Sequence, residues 1–93
     1  MTIEENREQL IRRVREMETL FDAVRLKWET NPQGFRANKI AQEQLALLLA
    51  YYEGGQWLKD YELDAKGLLP ADVKRGILSE DGFYNFLTEI EPL

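Results

Sequence analysis

Between Ile3 and Trp28 the chain contains no glycine and no proline, and that uninterrupted run constrains the fold more than any other feature. Leu10, Val14, Met17, Phe21, Val24 and Trp28 recur at steps of four and three, the spacing of one stripe on an amphipathic helix. Ile11 and Leu20 broaden the stripe, while Arg12, Arg13, Arg15, Glu16 and Glu18 are assigned to the other faces. Thr2 is the expected N-cap, with Glu5 three residues on completing a capping box.

The stretch Thr30 to Gly34, "TNPQG", interrupts the pattern. Asn31 is expected to cap a second helix and Pro32 to occupy its first position. That helix should run to about Glu53, where Gly54 and Gly55 end it. Its stripe is Phe35, Ala41, Leu45, Leu48 and Tyr52, with Asn38 as a polar exception. About the turn the two stripes mirror each other, Trp28 with Phe35, Val24 with Asn38, and so on to Leu10 with Tyr52. An antiparallel helical hairpin needs such a mirrored register, because a short turn sets each step forward on one helix against a step back on the other.

Two helices leave Ile11, Leu20, Leu47 and Leu49 beside the seam, and the C-terminal segment has the apolar material to cover them. Trp57, Leu58 and Tyr61 suit a short helix that Gly67 ends; Pro70 opens a further turn that Gly76 ends; Ser79 caps a last helix with Glu80 and Asp81 in its first turn. Phe83, Phe86, Leu87 and Ile90 share one side of that helix. No alternating run suggests a strand. The expected fold is all-α: a long antiparallel helical hairpin over 1–53, covered by a C-terminal corner of two or three short helices over 54–93. With 93 residues, 44% of them hydrophobic, 3 prolines and 6 glycines, the chain is expected to form a single domain.

Cysteine and histidine are both absent. Disulfides, thiolate nucleophiles, histidine general bases and zinc or haem ligation through these side chains are therefore excluded. The start "MTIEENREQL" is charged and unlike a signal peptide, and no run approaches the ~18 apolar residues of a membrane span. These features lead to the expectation of a cytoplasmic protein that is not an enzyme and needs no cofactor. The net charge of −5 lies wholly in the C-terminal half, which argues against nucleic acid and anionic membrane as partners.

The segment "DYELDAKGLLPADVKRG", Asp60 to Gly76, has the look of a metal loop. Asp60, Glu62 and Asp64 would be positions 1, 3 and 5 of a calcium loop, but glycine is needed at position 6 and glutamate at position 12, where Ala65 and Ala71 stand. On a helix Asp60 and Asp64 share a face and Glu62 points away. Lys74 and Arg75 precede a glycine, as bases at a helix C-terminus do, and are placed to pair with the acids at 60 to 64. The aromatics Tyr51, Tyr52, Trp57, Tyr61, Phe83, Tyr84 and Phe86 read as core before they read as a binding platform. Trp57, Asp60, Tyr61, Glu62, Asp64, Lys74, Arg75 and Tyr84 make up the candidate corner site for a small ligand or metal ion. The competing expectation is a non-enzymatic interaction module that binds a protein partner or itself, as a homo-oligomer.

The run from Tyr51 to Leu87 also carries a recognisable pattern. It has a tyrosine pair, Trp57, Asp60-Tyr61-Glu62, Asp64, Gly67, Leu69-Pro70, Asp72, Lys74-Arg75-Gly76, Leu78-Ser79-Glu80-Asp81 and Tyr84. In this it resembles the family of short bacterial proteins catalogued as domain of unknown function 4298. The resemblance implies a cytosolic all-α domain and no known activity. It departs at Ala65, where an acid is commoner in the family pattern.

Overall fold

The structure is a computed structural model and describes residues 3–79 and 81–90, with side chains from Asn6 onward. Among these residues it is all-α, as expected. Helix α1, Ile3–Thr30, is followed by α2, Lys39–Glu53, by α3, Gln56–Ala65, by a 3-10 turn at Gly76–Leu78, and by α4, Gly82–Ile90. At ~1.5 Å per residue α1 is about 42 Å long, close to the 46 Å longest dimension of the molecule. It is the beam on which the rest is laid. The capping box proposed at Thr2 and Glu5 falls outside the described side chains.

Leu10, Val14, Phe21, Val24 and Trp28 of the α1 stripe are all buried, and they meet Ala41, Leu48 and Tyr51 of α2. The first mirrored pair is present: Trp28 and Phe35 pack edge to face, 5.4 Å between ring centroids. The start of α2 differs from expectation. Residues 32–37 form successive turns, with Phe35 N–H donating to Pro32, Ala37 to Gly34 and Asn38 to Phe35. Asn31 accepts from Gly34 N–H at 3.0 Å, so it caps this turn and not a helix. The helix begins at Lys39, where the Asn38 side chain accepts from Ala41 N–H at 3.0 Å. Asn38 interrupts the apolar stripe because it is the N-cap, a position that favours a short polar side chain.

Gly54 ends α2 as expected. Helix α3 ends in a Schellman arrangement: Gly67, at φ +81°, donates to Asp64 and Leu68 donates to Leu63. Beyond it, Val73 N–H closes one turn on Pro70. No helix ends at Gly76, so Lys74 and Arg75 are not last-turn bases; Gly76 opens the 3-10 turn instead. Ser79 Oγ accepts from Gly82 N–H at 2.9 Å, so it holds the entry to α4 as expected, while Asp81 precedes the helix and Glu80 lies outside the described residues. The 3-10 turn packs against α1, α3 and α4 and buries Ile77 and Leu78. Phe21 packs edge to face against both Phe83 and Phe86, at 5.5 and 5.6 Å, which lays α4 on the hairpin.

Candidate functional site: the polar corner and the uncovered hairpin face

The eight corner residues divide into those the fold draws together and those it leaves apart. Asp60 has no exposed surface. Its carboxylate accepts two hydrogen bonds from the Arg13 guanidinium, at 2.8 and 2.7 Å, one from the Tyr51 hydroxyl at 2.6 Å and one from the Gln56 amide at 3.0 Å. One side chain thereby joins α1, α2 and α3. Burial by itself pushes the Asp60 carboxyl up, but the hydrogen bonds from Arg13, Tyr51 and Gln56 outweigh it and hold the group below its ordinary value. Tyr51 is pushed up, by burial first and then by Asp60, and so stays a hydrogen-bond donor. The Arg13 guanidinium is held above its ordinary value by the hydrogen bond to Asp60.

Asp64, one turn further along α3, accepts from Arg75 at 2.5 Å; Arg75 also donates to the Pro70 carbonyl at 2.6 Å. This is the acid–base pairing anticipated across the corner. Trp57 donates its indole N–H to the Ile77 carbonyl at 2.6 Å. Its ring stacks on Tyr61, 5.2 Å away with 19° between planes, and meets Tyr52 edge-on. Glu62, Lys74 and Tyr84 are exposed and join none of these contacts. Asp60 and Asp64 are thus taken up by different partners and Glu62 is exposed, so the three acids do not converge. Among the described residues no group of three or more His, Cys, Asp or Glu side chains is placed to hold a metal ion.

Four participants, Arg7, Arg13, Glu18 and Gln56, were not singled out from the sequence. Arg13 and Glu18 had been assigned to solvent-facing sides of α1, yet both turn inward. Glu18 is 8% exposed and accepts from Ile77 N–H at 2.7 Å, so a side chain of α1 caps the distant 3-10 turn. Arg7 adds a bond to the Leu68 carbonyl at 3.0 Å. The sequence does hold a signal for Glu18, which stands four residues after Val14 and three before Phe21, on the apolar stripe itself. Tyr51, three residues after Leu48, occupies the buried face of α2 in the same way. No buried side-chain nitrogen or oxygen among the described residues lacks a partner.

A second feature lies on the hairpin. The C-terminal segment covers only part of the residues beside the seam. Leu49 faces Leu87 and Ile90 of α4 across a recess of about 390 Å³. Leu47, expected to be covered as well, is 57% exposed. With Ile11, Met17 and Leu20 it contributes the apolar part of an open groove of about 810 Å³, whose charged part is Glu8, Arg12, Arg15 and Glu16. Leu26 and Ile40, near the turn of the hairpin, are exposed by 64% and 62%.

The family model described as domain of unknown function (DUF4298) matches residues 14–93, which takes in both the corner and most of the hairpin. The chain belongs to the DUF4298 family. No curated protein and no solved structure matches it. The family match spans the whole C-terminal corner and begins inside α1, so Glu18, Tyr51, Asp60 and Ile77 all lie within the DUF4298 region, whereas Arg7 and Arg13 precede it. Among the described residues of this DUF4298 protein no helix is long and apolar enough to cross a membrane.

Proposed function

We propose that this DUF4298 protein is a non-enzymatic interaction module that binds another protein surface through the uncovered face of its hairpin. The observation that carries the reading is the groove along α1, where Leu47 stands more than half exposed beside Met17 and Leu20. A contiguous apolar surface rimmed by charge is the usual signature of a protein contact. The corner supports the reading from the other side: Asp60 is taken up by Arg13, Tyr51 and Gln56, Asp64 by Arg75, and Arg75 and Trp57 also donate to backbone carbonyls, which leaves the small-ligand or metal alternative with little to offer a ligand.

The test is site-specific photo-crosslinking in the full chain within its native cells. A photoreactive residue at position 47 should give a covalent protein adduct, and one at the exposed Glu53, at the far end of α2, should not. Equal, background-level labelling at both positions would remove the proposal.

A further inference from the structure

The open face of the hairpin has a charge pattern that selects among partners. Along the α2-facing flank of α1, Glu16, Leu20, Ala23 and Lys27 follow at steps of four, three and four, so they form one stripe. Leu20 and Glu16 border the groove together with Leu47, and Lys27 marks the same flank by donating to Gln44 of α2 at 2.9 Å. An ammonium has three donors, so that bond leaves Lys27 capacity for a carboxylate. Read from Glu16 the stripe is acid, apolar, apolar, base, and read from Lys27 it is the charge-reversed mirror.

Resting on the interaction reading above, we infer that the occupant of this face is a second copy of the same chain, lying antiparallel across a twofold axis at the level of residues 21 and 22. In an isologous contact residue i meets j and j meets i. About that axis Glu16 of each copy meets Lys27 of the other, and Leu20 of each copy meets the small Ala23 of the other. The two ion pairs set direction and register, and the Leu20–Ala23 contacts, with Leu47 alongside, bury the apolar part. A strongly acidic or basic partner would satisfy one end of the stripe and oppose the other. A parallel copy would set Glu16 against Glu16 and Lys27 against Lys27.

Sedimentation equilibrium on the full chain tests this. The wild type should move from 10.9 kDa toward twice that mass as concentration rises. Glu16→Lys and Lys27→Glu should each weaken association about tenfold, since each places like charges at both symmetric contacts. Mixing the two single variants, or combining both changes in one chain, should restore it, which no folding defect would do. A wild type that stays at monomer mass up to ~1 mM, or single variants that the mixture fails to rescue, overturns the inference. If the chain is monomeric and position 47 still crosslinks to a different protein, the second copy is ruled out while the interaction reading stands; no adduct at all removes both.

Discussion

Asp60 concentrates the polar energetics of the molecule in one side chain. Removing it by Asp60→Ala leaves the Tyr51 hydroxyl and the inner part of Arg13 without an acceptor, and should cost about 3 kcal/mol, read by urea denaturation at neutral pH. Asp60→Asn keeps the shape and removes the titration. Because the folded carboxyl is held below its ordinary value, its contribution is complete above the unfolded pKa of about 3.9 and is lost as pH falls through the folded value. The wild type should therefore lose stability from about pH 5 downward more steeply than Asp60→Asn; parallel profiles would contradict the network. Trp57→Phe keeps a ring but removes the donor to Ile77, and should cost about 1 kcal/mol in the same measurement. From the sequence alone Asp60 looked like the first acid of a metal loop or a partner for Lys74 and Arg75. Its burial depends on Arg13, 47 residues away, and no local periodicity reports a partner at that distance.

The helices themselves were more legible than their connections. The stripes of α1 and α2 and the stop at Gly54 follow from spacing and from residues whose physics is local. The delayed start of α2 does not, because Pro32 at a first helical position and Asn38 at an N-cap are both sound local signals. The contact of Phe35 with Trp28 and the run of turns over 32–37 decide between them. At the corner, Gly67 and Gly76 have opposite reasons to be glycine. Gly67 sits at φ +81° with open space where a Cβ would be, so Gly67→Ala should cost about 1 kcal/mol through the backbone alone. A Cβ at Gly76 would stand 2.9 Å from a Glu18 carboxylate oxygen. Gly76→Ala should therefore destabilise by displacing the carboxylate from Ile77 N–H, and most of that loss should vanish in a Glu18→Gln background. Additive losses in a double-mutant cycle would show that the two residues do not communicate.

At the scale of the whole molecule, the two tryptophans sit in different neighbourhoods of one core. Trp28 is held at the turn of the hairpin, donating to Glu89 of α4 at 3.0 Å, and Trp57 is held at the corner. If the chain is a single cooperative unit, Trp28→Phe and Trp57→Phe, each leaving one tryptophan, should each show unfolding by tryptophan fluorescence that coincides with unfolding by circular dichroism. Two separated transitions would divide the hairpin from the corner. The hairpin and the all-α class were readable because helical periodicity is repeated over many residues. The uncovered groove did not follow from the sequence, where Ile11, Leu20 and Leu47 were expected to be covered, since which side the C-terminal segment covers is settled by long-range contacts such as those of Phe21.

Glu18 capping a turn that lies 59 residues further along the chain has a consequence for engineering. The corner looks like a portable module, with its own turns, aromatic stack and ion pair, but three of its anchoring groups, Arg7, Arg13 and Glu18, are written into α1. Grafted onto another helical hairpin, residues 54–90 would arrive with the buried Asp60 carboxylate answered by Gln56 alone and with an uncapped turn at Ile77. A recombinant chain that joins the hairpin of one relative to the corner of another should fold only where these partners travel together across the crossover.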